Sequence, residues 1–189
     1  MRCETGKQES PAQPCIIGVR VPGRTAWGRN MAGVLTLGPR SRLHLNIEYE
    51  GDMKVVTGVV GNDIHVVANR LMDLSLQARG YEVFNLGVNT HLEEFFDAAV
   101  ETGADVLVIS SLNGEAEGWS REVKLLRAKY RTLDDLVMMI GGNLVVGSGN
   151  TEDIVARYKN YGFDLVCHQV DLNTGLDLLT AFLEQRSQS

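Results

Sequence analysis

The sequence predicts an α/β fold in which helices cover both faces of a parallel sheet. From Met53 onward, short apolar runs alternate with helical patterns, as in chains built from βα units. The runs are apolar throughout and rich in Val, Ile and Leu, as expected for strands that are buried on both faces of a parallel sheet. Five such units predict a flavodoxin-like, doubly wound, five-stranded parallel sheet with strand order 2-1-3-4-5.

The predicted elements follow one another closely along the chain. The strands cover residues 54–61, 81–87, 104–111, 136–142 and 163–168. The helices cover residues 66–80, 92–103, about 120–130, 152–161 and 175–185. Two local signals support these helix ends. Gly80 is placed to close the first helix as a C′ glycine, and Thr90 with Glu93 matches the capping box that opens a helix.

Residues 1–52 differ from the remainder of the chain. This segment has no sustained helical or strand period, and it contains two of the three cysteines. It also contains every proline of the chain, namely Pro11, Pro14, Pro22 and Pro39. We interpret residues 1–52 as a disordered leader or an over-extended start, with Met53 as the natural first residue. Residues 53–189 are then the one folded domain, which we expect to bind the ligand.

Composition disfavours several classes of function. Residues 53–189 contain eleven Lys and Arg against nineteen Asp and Glu, a net charge of minus eight, which disfavours nucleic acid as a partner. No apolar run approaches the roughly 18 residues of a membrane helix, and the polar start does not resemble a secretory signal. The cysteines, Cys3, Cys15 and Cys167, form no CxxC pair. We therefore expect a cytoplasmic protein without a membrane partner.

Three unusual loops follow predicted strands one, three and four, where a sheet of this order binds its ligand. They are residues 61–65 (GNDIH), 110–114 (SSLNG) and 141–143 (GGN). His65 could be an ordinary surface or helix-capping histidine. It could also be a metal ligand whose tautomer and basicity are set by Asp63. One histidine cannot hold a bare zinc ion, but it can supply one axial ligand to a metal in a macrocycle, which indicates a haem or a corrinoid.

Other chemistries fit these loops less well. The segment GGNLVVGSG contains GxxxxG, but Ser148 follows where a phosphate-binding P-loop needs Lys. No strong GxGxxG follows the first strand, so a dinucleotide site is not supported. No GxSxG elbow is present, so a hydrolase is not indicated.

Taken together, the three loops resemble those of cobalamin-binding domains. Residues 63–68 (DIHVVA) resemble the DxHxxG motif, Ser110-Ser111-Leu112 resembles SxL, and Gly141-Gly142 resembles GG. At finer detail, the stretches SSLNGEAEG and GGNLVVG are similar to loops of the small subunit of glutamate mutase, which is also called the S or sigma chain of methylaspartate mutase. The resemblance extends from Met53 to the C-terminus.

This resemblance implies adenosylcobalamin as the cofactor, bound base-off with His65 as the axial cobalt ligand. It further implies a large barrel subunit as the partner in a heterotetramer. Without that subunit this chain would be inactive, and this chain would contribute no catalytic residue. The implied reaction interconverts L-glutamate and threo-3-methylaspartate. The implied cofactor contacts are Asn62, Asp63, Ile64, His65, Val66, Ser110, Ser111, Leu112, Gly141, Gly142, Asn143, Leu144, Val145, Val146 and Gly147.

The chain departs from the family pattern at several positions. Ala68 replaces the motif glycine, Asn113 and Glu115 replace a Tyr and a Gln, and His168-Gln169 replaces a Pro-rich turn. Two alternatives therefore remain open besides glutamate mutase. One is a cobalamin-binding module of another mutase or of a non-catalytic corrinoid carrier or regulator, and the other is a flavodoxin-like domain without cobalamin.

Overall fold

A computed structural model describes residues 53–147 and 149–188 with their side chains. The chain divides into two compact units, Met1–Gly51 and Asp52–Ser189. In the smaller unit the backbone of three strands is described, β1 (Ile16–Arg24), β2 (Asn30–Leu37) and β3 (Leu43–Tyr49), which form an antiparallel sheet in that order.

The expectation of a leader or over-extended start falls on this smaller unit. Much of the smaller unit lies outside the described residues, namely 1–15, 25–29, 38–42 and 50–51. The expectation therefore stays a prediction.

The larger unit contains the predicted βα alternation. Its strands are β4 (Lys54–Val59), β5 (Glu82–Asn85), β6 (Val106–Ser111), β7 (Val137–Gly142) and β8 (Leu165–His168). Its helices are α1 (Val66–Gln77), α2 (Leu92–Thr102), α3 (Ala116–Ser120), α4 (Val123–Lys129), α5 (Thr151–Tyr161) and α6 (Leu172–Ser187), with a 3-10 turn at Arg131–Leu133. The strands are parallel and lie in the order β5-β4-β6-β7-β8. This confirms the predicted order 2-1-3-4-5.

Apolar side chains cover both faces of the sheet, which explains why the strands are apolar throughout. Alternate residues of β6 illustrate the arrangement, since neighbouring side chains of a strand point to opposite faces. Leu107 and Ile109 pack on one face with Phe95 of α2 and Tyr158 of α5. The opposite face forms a second cluster, which contains Val106, Val108, Leu76, Leu176 and Leu179. Burial on both faces fixes the sheet and therefore the positions of the loops at its carboxyl edge.

The predicted capping box at Thr90 and Glu93 is wrong by one residue. Helix α2 begins after His91, and the backbone N–H of His91 donates to the Glu94 carboxylate over 3.1 Å. Thr90 is instead buried and forms a parallel β-bridge with Val60. Because this pairing holds Thr90 in an extended conformation, the helix starts one residue later than the local pattern predicts.

The third predicted helix is also different in the structure. A single helix was expected from about residue 120, but α3 starts at Ala116 and a break separates it from α4. The Asn113 side chain accepts the backbone N–H of Glu115 over 3.0 Å. Such an Asx turn reverses the chain directly after β6, so that helical structure begins earlier. Over the described part of the chain, no helix is long and apolar enough to cross a membrane.

Candidate functional site

The three loops singled out in the sequence meet at the carboxyl edge of the sheet. The pairing of the strands determines this meeting, because Val59 lies opposite Ser110, Ser110 opposite Gly141, and Gly142 opposite His168. The chain therefore leaves β4, β6, β7 and β8 at nearly the same level. A crevice at this edge is where doubly wound sheets bind ligands.

Asp63 is buried and joins two of these loops. Its Oδ2 accepts the backbone N–H of Leu112 over 2.5 Å and that of Asn113 over 3.1 Å. Its Oδ1 accepts the backbone N–H of His65 over 3.1 Å and contacts Nδ1 of the same residue. Burial alone would raise the pKa of Asp63, but the hydrogen bonds from Leu112 and His65 outweigh burial and hold that pKa below its usual range. The side chain is thus a carboxylate at neutral pH.

His65 occupies the N-cap position of α1, and half of its side chain is exposed. Because Nδ1 faces the Asp63 carboxylate, the proton of the neutral ring is held on Nδ1 and the lone pair is left on Nε2. A buried carboxylate behind a half-exposed imidazole is the usual support of a metal-ligating histidine. The chain therefore presents one oriented nitrogen ligand at the edge of the sheet.

Large apolar side chains in or near the first and third loops are exposed. Ile64, Val66 and Val146 are 73%, 59% and 79% exposed. Asn62 is exposed as well. Clusters of exposed apolar side chains mark sites that a ligand or partner covers. The surface around His65 is therefore suited to a large, partly apolar ligand.

In the second loop, residues 110–114, the serine hydroxyl groups form hydrogen bonds with other groups of the protein. Ser110 is mostly buried and donates to the backbone oxygen of Gly58 over 3.2 Å, while Ser111 donates to the Asn113 side chain over 3.2 Å. Leu112 is half-buried, and its backbone N–H reaches Asp63. The structure thus brings Leu112 directly to the Asp63–His65 pair. The part that the serine hydroxyls would have in ligand binding stays a prediction.

Glycines allow the second and third loops to approach each other closely. Gly142 has φ +115°, and a Cβ atom there would lie 2.2 Å from the backbone oxygen of Ser111. A Cβ atom on Gly114 would lie within 2.9 Å of the backbone of Val145 and Val146. No other residue type fits these positions without a shift of the backbone. At Gly141 a Cβ atom would meet only ordinary contacts, at 3.6 Å from Cys167.

The residues after Gly142 do not all face the crevice. Val145 is half-buried, and Gly147 has φ +87°. The side chain of Leu144 is fully buried in the core, and its backbone oxygen accepts the Tyr158 hydroxyl over 2.8 Å. A cofactor contact predicted for Leu144 therefore has no exposed side chain to use. Asn143 is half-buried, and its side chain accepts a hydrogen bond from Gln169 over 3.2 Å.

Ala68, which replaces the motif glycine, lies within α1 and is half-buried. Since its backbone is helical, alanine is favourable there by up to about 1 kcal/mol relative to glycine. The structure thus gives no backbone reason for a glycine at this position.

Sequence reasoning missed two contacts at the same edge. The indole of Trp119 lies over Gly61, where an added Cβ would come within 2.2 Å of Nε1. His168 is buried, and its Nδ1 accepts the backbone N–H of Leu144 over 3.2 Å. Burial lowers the pKa of His168, although the Gly142 carbonyl opposes this effect. The only feature of the sequence that could have indicated the contact of His168 was the position of this residue at the end of the last predicted parallel strand.

The donor set fits a metal that arrives in a macrocycle. Among the residues described with side chains, no group of three or more His, Cys, Asp or Glu could hold a metal ion. His65 supplies a single nitrogen, and the exposed apolar side chains of Ile64 and Val66 flank it in the chain. This combination suits one axial bond from the protein together with extensive contacts to the macrocycle.

Comparison with known proteins gives a family match and several relatives of similar sequence. The B12 binding domain model matches residues 53–167. The glutamate mutase sigma subunit of Treponema denticola is 41% identical over 116 residues, which cover 60% of this chain and 81% of that relative. The sigma subunit of Escherichia coli O157:H7 is 37% identical over 133 residues, or 70% of this chain and 89% of that relative.

Two solved structures share the fold. A cobalamin-binding protein from Desulfitobacterium hafniense is 24% identical, with a TM-score of 0.55 over 68% of this chain. The monomethylamine corrinoid protein of Methanosarcina barkeri is 20% identical, with a TM-score of 0.56 over 69% of this chain. This chain spans 58% of the length of each of those structures. The domain match and the sequence identities to the sigma subunits establish that the chain belongs to the B12-binding domain family and, within it, to the glutamate mutase sigma subunits.

Proposed function

We propose that this chain is the cobalamin-binding small component of a glutamate mutase. The observation that supports the proposal most directly is the buried Asp63 carboxylate, which bonds His65 on one side and Leu112 and Asn113 on the other. This arrangement fixes the imidazole and leaves Nε2 for a metal. The sigma-subunit relatives support the choice of glutamate mutase among cobalamin proteins.

In this proposal the cofactor is adenosylcobalamin, and Nε2 of His65 would bind its cobalt. Ser110 and Leu112 line the pocket for the displaced nucleotide tail. Gly141, Gly142 and residues 143–147 flank that tail, and Asn62, Ile64 and Val66 contact the corrin beside His65.

Adenosylcobalamin, when bound, would supply the radical chemistry for the interconversion of L-glutamate and threo-3-methylaspartate. The hard chemistry belongs to the cofactor. The residues of this chain orient the cofactor: Asp63 holds the proton on Nδ1 of His65, and Leu112 and Asn113 hold Asp63.

We further propose that a large barrel subunit covers the corrin, binds the amino acid and is required for activity. The exposed side chains of Ile64 and Val66, which flank His65 in the chain, support a covered surface. Residues 53–189 are proposed to be sufficient for cofactor binding.

The differences at the crevice favour a second candidate, in which the chain serves another mutase or acts as a corrinoid carrier. Asn113 and Glu115 stand where the resemblance implies Tyr and Gln, and their side chains bond each other over 3.3 Å. These two substitutions at the exposed end of β6 would change the side chains that face the corrin. This candidate retains cobalamin binding through His65.

The test is a titration of the full chain with aquocobalamin, followed by visible absorption, beside the His65→Gly variant. We expect the wild type to give the base-off spectrum with histidine on cobalt and the variant to lose it. Formation of 3-methylaspartate only after a glutamate mutase large subunit is added would support the first candidate. Binding without such activity would favour the second, and a wild type that binds no cobalamin would exclude both.

A further inference from the structure

The residues that follow the last strand hold three consecutive residues of the third loop. The backbone N–H of Gln169 donates to the carbonyl of Gly142 over 2.8 Å. The side-chain amide of Gln169 donates to Oδ1 of Asn143 over 3.2 Å. The backbone N–H of Leu144 donates to Nδ1 of His168 over 3.2 Å. We call these two residues, His168 and Gln169, the β8 clamp.

His168 can make its hydrogen bond only in one protonation state. Because Nδ1 accepts the N–H of Leu144, it carries no proton, and the neutral ring has its proton on Nε2. His168 is only 5% exposed, and burial disfavours its charged form. If this acceptor were lost, the N–H of Leu144 would be left without a partner inside the protein, which is costly.

Gln169 adopts a conformation that few side chains tolerate. Its φ is +53°, in the left-handed region, although it is not a glycine. A residue with a side chain persists there only when its surroundings compensate for the strain, and such residues cluster at functional sites. The two hydrogen bonds to Gly142 and Asn143 provide the compensation here. A glycine would relieve the strain but would lose the bond to Asn143.

The same loop is fixed from its other sides as well. Gly142 lies against the backbone of Ser111, where a Cβ atom would be 2.2 Å from the oxygen. The Tyr158 hydroxyl bonds the carbonyl of Leu144 over 2.8 Å. The β8 clamp thus adds to a set of contacts that restrain the backbone of this loop.

We propose that His168 and Gln169 are positioning residues that preorganise residues 142–144 to receive the nucleotide tail of the corrinoid. They thereby select complete cobalamin over corrinoids that lack the lower nucleotide. This inference rests on the proposed function, because the tail pocket is part of that proposal. A loop that is already ordered loses less freedom on binding, so that affinity rises. This gain in affinity applies only to ligands that contact the loop.

The test compares two corrinoids on the full chain. Aquocobalamin carries the nucleotide tail, whereas aquocobinamide has the same corrin and cobalt without it. Titration of the His168→Phe variant should show affinity for cobalamin about tenfold weaker than wild type, because the free loop relaxes to pair the N–H of Leu144 with water and must be reordered on binding. Affinity for cobinamide should stay within about twofold, since His65 is untouched. Asp177→Asn, at an exposed ion pair with Arg79, is the control and should change neither affinity.

Two further variants separate positioning from simple stabilisation. In His168→Asn, Oδ1 can take the place of Nδ1 as acceptor, so cobalamin affinity should return to near the wild-type value. In Gln169→Gly, the thermal midpoint should stay the same or rise because strain is relieved, whereas cobalamin affinity should fall severalfold. A purely structural residue would shift stability and affinity in the same direction. If the His168→Phe variant does not fold, these two variants still test the proposal.

The outcomes are distinct. A parallel loss of affinity for both corrinoids in the clamp variants, or no loss for either, would overturn the role of the clamp while the wild type still bound cobalamin. A wild type that binds neither corrinoid would instead overturn the proposed function, and this inference with it.

Discussion

At the scale of single residues, Asp63 is the centre of the candidate site. One buried carboxylate accepts hydrogen bonds from residues on both sides of the crevice. Bonds to a charged acceptor are about twice as strong as those between neutral groups. The loss of its charge should therefore affect both the orientation of His65 and the stability of the loops.

Asp63→Asn keeps the shape of the side chain but can accept at only one oxygen. The amide nitrogen would face donors, so at least one backbone N–H loses its partner. Loss of the partner of a metal ligand typically lowers metal affinity about 10- to 100-fold. We expect a decrease of this size in cobalamin titrations. Asp177→Asn, at an exposed ion pair with Arg79, should bind as the wild type does.

The lowered pKa of Asp63 also predicts a pH dependence of stability. An aspartate whose pKa is lower in the folded than in the unfolded protein contributes stability above its unfolded value of about 3.9, and this is lost as pH falls through the folded value. The urea midpoint of the wild type should therefore drop more steeply below pH 4 than that of Asp63→Asn. Parallel curves for the two proteins would show that Asp63 does not contribute in this way.

Gly142→Ala should destabilise the protein strongly, whereas Gly141→Ala should not. At Gly142 the new methyl group meets the oxygen of Ser111 and φ is +115°, so we expect a loss of about 2–4 kcal/mol in the free energy of unfolding. At Gly141 the contacts are ordinary, and we expect less than about 1 kcal/mol. Urea denaturation of both variants measures the difference, and equal losses would contradict this explanation.

At the scale of elements, the helices differ in how they attach to the sheet. Helix α2 buries Leu92, Phe95, Phe96 and Ala99. Helix α1 buries the polar Asn69 and Asp73 besides Leu76, whereas Val67 and Leu71 are 73% and 51% exposed. Burial of apolar surface is the main stabilising effect in helix packing. The helix that carries His65 is therefore the less firmly held of the two.

This difference predicts faster hydrogen exchange in α1. Oδ1 of Asn69 is buried and accepts no hydrogen bond within the described part of the chain, which further weakens the attachment of α1. In the protein without ligand, central amides of α1 should exchange at least about tenfold faster than those of α2. Exchange followed by mass spectrometry measures this ratio. Equal protection of the two helices would show that the polar face of α1 packs as well as an apolar one.

The start of α2 provides a test of the corrected cap. The Glu94 side chain accepts the N–H of His91, so Glu94→Ala should cost about 0.5–1 kcal/mol of unfolding free energy. Glu93 instead pairs on the surface with Lys129, and such pairs contribute about 0–1 kcal/mol, often at the low end. Glu93→Ala should therefore cost less. A larger loss at Glu93 than at Glu94 would favour the cap expected from the sequence.

At the scale of the whole molecule, the chain consists of two units. All loops of the candidate site belong to the larger unit, which has its own core on both faces of its sheet. A unit with a complete core can fold independently.

A chain that starts at Met53 should therefore fold and bind cobalamin as the full chain does. We expect cobalamin dissociation constants within about twofold of each other and cooperative thermal unfolding of the shorter chain. Calorimetry and cobalamin titration of both proteins provide the comparison. Loss of binding in the shorter chain would show that residues 1–52 contribute to the site.

The sequence alone determined the fold class, the order of the strands and the identity of the loops at the crevice. These features depend on local patterns: apolar runs such as residues 106–109 define strands, and short polar loops such as residues 61–65 end them. The pairing of Asp63 with His65 was also predictable, because the two residues are only two apart. The family resemblance rested on the same short stretches and was confirmed.

Only the tertiary structure decided which residues complete the site. Leu112 reaches Asp63 across 49 positions of sequence, and His168 reaches Leu144 across 24. The late start of α2 has the same origin, because Thr90 pairs with Val60. The physical reason is that these contacts depend on the register between parallel strands, which brings distant residues to one edge of the sheet. Local periodicity specifies that a strand exists, whereas packing of the complete core sets what lies beside it.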